Sequence, residues 1–88
     1  MSVPVSLTFE QAVAKIKTVQ NVSNDHKLRL YGLYKQITIG NNTTSCPSIF
    51  YPTDRAKWYA WYETLGMNPD MCKMEYIQLV NNLLSSTS

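Results

Sequence analysis

Apolar side chains recur at helical spacing in four separate stretches of this chain, and no stretch alternates convincingly as a strand would. Phe9, Ala12, Val13 and Ile16 fall at i, i+3, i+4 and i+7, and Leu30, Leu33, Tyr34 and Ile37 repeat that interval set. Trp58, Trp61 and Leu65 share a third face, and Cys72, Tyr76, Leu79, Val80 and Leu83 a fourth. A helix with one apolar stripe must bury it against a neighbour, so the expected class is all-α, a four-helix bundle. Eighty-eight residues leave room for one domain with a thin core. The domain is expected to occupy residues 1–88, with its ordered part at about 8–84.

Each stretch carries its own punctuation. Thr8 and Gln11 form a capping-box pattern ahead of the first, and Asn21 to Asn24 interrupts it. The second is expected from Ser23 or Asn24 to Ile39, with Gly40 as a left-handed stop, although Ile37-Thr38-Ile39 weakens its last turn. Residues 40–52, GNNTTSCPSIFYP, read as a long connection, and loops of that length in small domains are often functional. The third helix is expected to start after Pro52, capped by Thr53 or Asp54, and to end at Gly66. Asn68 followed by Pro69 marks the fourth, and the closing Ser-Ser-Thr-Ser reads as a frayed end.

Catalysis finds no foothold. GxSxG, HExxH, P-loop and GxGxxG patterns are all missing, and the one histidine, His26, lies between Asp25 and Lys27 at a helix start. Cys46 and Cys72 match no zinc spacing; they read as two free thiols in a reducing compartment, with a single disulfide the alternative. The opening MSVPVSLTF has neither the basic nor the apolar region of a signal peptide, and no stretch reaches the ~20 apolar residues of a membrane span. A cytoplasmic location follows as the expectation, with the sequons at Asn21, Asn41 and Asn42 read as chance.

Charge is more informative in its placement than in its sum. The chain carries +2 overall, but residues 11–62 hold seven basic residues against two acids, a local +5. That pattern suits a local anionic partner better than a nucleic acid, which would call for more charge on one exposed helix. Tyr31 and Lys35 meet on one helix face, offset from the apolar stripe, and Lys57 stands just before Trp58. A tyrosine beside a lysine can hold a planar, phosphorylated ligand, the ring stacking and the ammonium pairing with phosphate. The same residues would also serve as core-capping tyrosines and solvated lysines, and spacing leaves both readings open. Trp58 and Trp61 read first as core anchors, Trp61 the more so.

The run LYGLYKQITIG at 30–40 closely resembles the acyl-CoA-binding protein family, whose pattern there is Leu/Tyr-x-x-Tyr-Lys-Gln-Ala-Thr-x-Gly. The likeness continues through Pro47 and Phe50, through Arg55-Ala-Lys-Trp-Tyr-Ala-Trp61, and through Tyr76-Ile77 with Leu79-Val80; Phe9, Ala12 and Lys17 fit the family's first helix. It spans roughly residues 8–84. The resemblance implies an up-down-down-up four-helix bundle that binds medium- and long-chain fatty acyl-CoA esters without catalysis, as a pool former and transporter. It implies ligand contacts from Lys17, Tyr31, Gly32, Leu33, Tyr34, Lys35, Lys57 and Tyr76, with Phe9, Val13, Lys27 and Leu28 matching positions near the adenine pocket or the acyl chain.

Beyond that ligand, the resemblance implies no cofactor and no metal. Acyl-CoA-using enzymes and, transiently, membrane surfaces are the further partners it suggests. A monomer is expected because all four apolar stripes are needed for one bundle. Departures from the family pattern are Ile37 and Val13 for alanine, Asn41 for an acid, Ser48 for glycine and Tyr59 for aspartate, and neither Gln20 nor Val22 supplies the frequent extra lysine. They bear on affinity and chain-length preference, not on ligand class. The alternative is a helical protein-interaction module that kept the fold and lost the ligand.

Overall fold

The computed structural model describes residues 7–86, which form α1 (Phe9–Ile16), α2 (Asn24–Thr38), α3 (Pro52–Tyr62) and α4 (Pro69–Ser86), with no strand among them. Local signals set most of the starts. Thr8 Oγ1 accepts the Gln11 amide at 3.1 Å while Gln11 Oε1 accepts the Thr8 amide at 3.0 Å, so two otherwise orphaned donors are satisfied. Ser23 Oγ caps α2 through the His26 amide, and Asn68 Oδ1 accepts from the Asp70 amide at the head of α4. Gly40, at φ +109°, ends α2 in the left-handed region and returns its amide to the Lys35 carbonyl.

The third helix departs from expectation at both ends. Pro52 is its first residue, Tyr51 is the N-cap, and neither Thr53 nor Asp54 caps it with a side chain. Proline suits the first helical position, because its fixed φ is helical and its missing N–H would have no partner there. The helix stops at Tyr62, not Gly66, as Thr64 turns inward and donates to the Trp61 carbonyl. Leu65 is therefore half exposed, off the stripe expected to include it. At the C-terminus α4 runs through Ser86, so Ser85 and Ser86 are helical; Thr87 and Ser88 lie outside the described residues, as do the first six.

Packing runs in the order α1–α4–α2–α3. Ala12, Leu30, Leu33, Cys72, Tyr76, Val80 and Leu83 form the buried core, contributed by α1, α2 and α4. Both thiols are free: Cys46 is exposed, whereas Cys72 is fully buried and its burial pushes the thiol upward. Arg29 on α2 grips Glu75 on α4 with two guanidinium nitrogens, while Gln36 reaches the Met67 carbonyl just before α4, so these two helices run antiparallel. Gly32 lies against Ala60, and Gln36 bonds Thr64 just beyond α3, each pair the same distance apart in sequence; α2 and α3 are therefore parallel. A parallel pair needs a connection that travels back the full helix length. The thirteen residues between Thr38 and Pro52 make that journey.

Gly32 sets the spacing of the parallel pair. A Cβ built there would lie 2.2 Å from the Ala60 carbonyl oxygen and 2.7 Å from its carbon, so only glycine permits this approach. At the far end of α2, buried Gln36 is a polar hub. Its amide donates to Asn41 Oδ1 and the Met67 carbonyl, and its oxygen shares the proton of the buried Thr64 hydroxyl with the Trp61 carbonyl. The long loop is fastened too. Buried Asn42 donates to the Trp58 carbonyl and accepts from the Thr44 amide and hydroxyl, and the Trp58 indole donates to Thr44. Both amide ends of the Asn42 sequon are thus engaged in the fold.

Candidate functional site

The face of α2 that is not needed for the core turns Tyr31 and Lys35 toward α3. Their spacing of one helical turn brings the Lys35 ammonium to 5.9 Å from the Tyr31 ring centre. Because Gly32 lets α3 approach so closely, Lys57 arrives from the second helix at 5.3 Å from the same ring. Two ammonium groups separated by 22 positions in sequence thus converge on one half-buried tyrosine. Lys35 also lies 4.8 Å from the centre of the Trp61 ring, a geometry in which the aromatic quadrupole holds a cation.

From this cationic point a groove of about 480 Å³ runs between the two helices toward their N-termini. Lys27, Leu28 and Tyr31 line one wall and Pro52, Ala56 and Lys57 the other. Its floor is apolar and its charges are all positive. Such a trough can take a molecule that is anionic at one end and hydrocarbon at the other.

A second cluster lies where α1, α2 and α4 meet. Phe9 packs edge-on against Tyr76 at 5.1 Å between ring centres and lies 6.0 Å from the ring of Tyr34, a residue that is 40% exposed. Periodicity groups Tyr34 with the buried stripe; it forms the outer face of this cluster instead. Tyr76 is its buried base, and burial, with a smaller contribution from Tyr34, pushes its phenol above the ordinary tyrosine range. The hydroxyl stays neutral and able to donate a hydrogen bond.

The remaining candidates are placed unevenly. Gly32 and Leu33 are buried, the first against Ala60 and the second in the core. Lys17 is exposed as the C-cap of α1, and Val13 is half buried against the core; among the described residues no ring or ion contact joins either to Tyr31. Two contributors escaped sequence reading. Trp61 was assigned to the core, and it is buried, its indole donating to the Gly40 carbonyl at 2.7 Å, but one ring face also supports Lys35. Ala56 in the groove wall is not among the expected contacts, although small residues at Ala56 and Ala60, one turn apart, signal close helix packing.

Three of the departures from the family pattern make local contacts of their own. Asn41 Oδ1 accepts from both Gln36 and the Gly66 amide, tying the loop to the turn after α3. Ser48 Oγ accepts the Phe50 amide, and Tyr59 stacks edge-on with Trp58 beside the Arg55 guanidinium.

A family model described as acyl CoA binding protein matches residues 6–80, most of the chain. The chain belongs to this family. Among curated relatives, acyl-CoA-binding protein homolog 1 of Caenorhabditis elegans is 42% identical over 82 residues, covering 92% of this chain and 95% of the relative. The acyl-CoA-binding protein of Ricinus communis is 43% identical over 81 residues, with 91% and 90% coverage. The crystal structure of Oryza sativa acyl-CoA-binding protein 2 superposes with a TM-score of 0.87 at 44% identity, over 90% of this chain and 87% of that one. That of the family member from Moniliophthora perniciosa gives 0.82 at 25% identity, over 89% and 78%. The family assignment therefore rests on likeness over most of the chain in sequence and in structure, and the four-helix architecture is that of this acyl-CoA-binding protein family.

Proposed function

We propose that this protein binds medium- and long-chain fatty acyl-CoA esters and carries them, without altering them, between acyl-CoA-using enzymes. The observation that carries this reading is the convergence of Lys35 and Lys57 on Tyr31 at the head of an apolar groove. Phosphates of the CoA head are held by these two ammonium groups, with Lys17 approaching from α1, and the adenine stacks against Tyr31. Tyr34, with Phe9 and Tyr76 behind it, offers a second aromatic surface and a neutral hydroxyl to the nucleotide. The acyl chain lies between Leu28 and Ala56, with the stem of Lys27 along its edge. Gly32 and Leu33 act from beneath, the first by allowing α3 to come close, the second by anchoring α2 in the core. The carrier is proposed to work as a cytoplasmic monomer; no helix among the described residues is long and apolar enough to cross a membrane.

Tail burial gives the reading a quantitative test. Each methylene removed from water contributes about 0.8 kcal/mol, so lengthening the acyl chain by two carbons should tighten binding roughly fifteenfold until the groove is filled. Titration calorimetry across an acyl-CoA series of increasing length measures this directly. A flat response from short to long chains would remove the groove from the mechanism.

A further inference from the structure

The groove between α2 and α3 changes character along its length. Its residues on α2 descend turn by turn from Tyr31 through Leu28 and Lys27 to Asn24, about 10 Å of helix rise from the cationic head. Opposite them on α3 stand Ala56 and then Thr53 and Pro52. Leu28 and Ala56 make the middle apolar, as a hydrocarbon chain requires. The far margin instead carries an ammonium, a carboxamide and a hydroxyl, from Lys27, Asn24 and Thr53, all three exposed. The fold makes no use of these groups. Ser23, beside Asn24, caps α2, and Asn42, Thr44 and Ser48 of the long loop bond within it. Among the described residues, by contrast, Lys27 meets no carboxylate, and the side chains of Asn24 and Thr53 make no hydrogen bond. Acids close in sequence do not fill the margin. Asp25 lines a second hollow with Arg29, Tyr59 and Glu63, and Asp54 lines neither. The charges along the groove are therefore Lys57 at its head and Lys27 farther along.

We propose that the groove also accepts fatty acyl-CoA esters whose tail ends in a carboxylate, the CoA monoesters of dicarboxylic acids, with Lys27 pairing with that distal carboxylate. Asn24 and Thr53 donate hydrogen bonds to the same group. The inference rests on the acyl-CoA reading above and extends its ligand class. A plain hydrocarbon end gains nothing from a cation and leaves all three polar groups to water. A carboxylate end uses them, and because they stand at an exposed margin the charge keeps part of its hydration and is not buried unpaired. The methylenes before it rest on Leu28 and Ala56. Lysine suits this place, since its stem covers hydrocarbon while its ammonium reaches the polar end.

The test is titration calorimetry with plain acyl-CoA esters and their ω-carboxy counterparts, matched at each even chain length from medium to long. The natural protein is compared with Lys27→Met, which keeps the stem without the charge, and with Lys27→Arg, which keeps the charge. The readout is the ratio of the two affinities at one length, so any change common to head and stem cancels. At the length that reaches the margin, the carboxylate is expected to weaken binding by about tenfold or less in the natural protein and by about a hundredfold in Lys27→Met, while Lys27→Arg follows the natural protein. Added salt should widen the ratio for the natural protein and leave that for Lys27→Met nearly constant. A loss of about a hundredfold at every length in the natural protein, or the same ratio in Lys27→Met, overturns the inference while the plain esters still bind. Plain esters that fail to bind would instead strike the acyl-CoA reading, and this inference with it.

Discussion

Replacing Lys35 with methionine is expected to weaken long-chain acyl-CoA binding by roughly 10- to 100-fold, the ~1.5–3 kcal/mol of a charge-assisted hydrogen bond. Methionine keeps most of the apolar stem and removes only the cation, so the loss reports charge and not packing. Lys35 is chosen over Lys57 because two rings fix its ammonium, Tyr31 at 5.9 Å and Trp61 at 4.8 Å, whereas Lys57 is exposed. Loss of the contact with Trp61 should lower stability by only ~0.5–1 kcal/mol, so the variant remains folded at the temperature of the titration. Free CoA, which shares the head, should weaken in the same proportion. Calorimetry that finds the variant binding like the natural protein would take Lys35 out of the site.

The second large effect concerns Gly32→Ala, where two physical arguments give opposite signs. Helix propensity alone predicts stabilisation by about 1 kcal/mol, since glycine inside a helix is the costlier residue. Packing predicts the reverse. The new methyl group would lie 2.2 Å from the Ala60 carbonyl oxygen, which is backbone and cannot swing aside as a side chain would. Only separation of α2 from α3 relieves that contact, and overpacking of this kind costs ~1–3 kcal/mol or more. The packing term wins. Thermal unfolding followed by circular dichroism should show Tm lowered by roughly 5–15 °C, given ~4–8 °C per kcal/mol for a domain of this size. Acyl-CoA binding should weaken as well, because Lys57 retreats from Tyr31 with α3. An unchanged or raised Tm would mean that the two helices are not held at this distance in solution.

These two residues also mark what the sequence could and could not disclose. Helix starts were legible where the instruction is local: Thr8 with Gln11, Ser23, and Asn68 before Pro69 each act within one turn of themselves. Pro52 misled by one position, since the same residue that ends a preceding segment is also a favoured first residue of a helix. The end of α3 is misplaced because Trp61 and Leu65 keep helical spacing, while Thr64, which closes the turn on the Trp61 carbonyl, is drawn inward to Gln36, a partner 28 residues away. No local pattern contains that bond. The buried Gln36 and Asn42 were overlooked for the same reason, as polar residues that become core only when distant acceptors converge on them.

The site divides in the same way. Helix spacing alone pairs Tyr31 and Lys35, and on spacing alone core capping and surface solvation is the favoured of the two open readings. What spacing could not supply was Lys57 reaching the same ring, or the indole of Trp61 beneath Lys35; both depend on the parallel contact that Gly32 permits. Family resemblance supplied the ligand class at the sequence level. The geometry adds a physical reason for it, a doubly cationic head on an apolar groove, and singles out Ala56 as part of the wall.

Under the proposed function, one ligand must satisfy both halves of this site. Titration calorimetry with a long-chain acyl-CoA, beside free CoA and the free fatty acid, tests it most directly. The account predicts tight one-to-one binding of the ester, with CoA and the fatty acid each far weaker because each fills half of the site. Binding of the free fatty acid as tight as that of the ester, or no binding of either the ester or CoA, would contradict it.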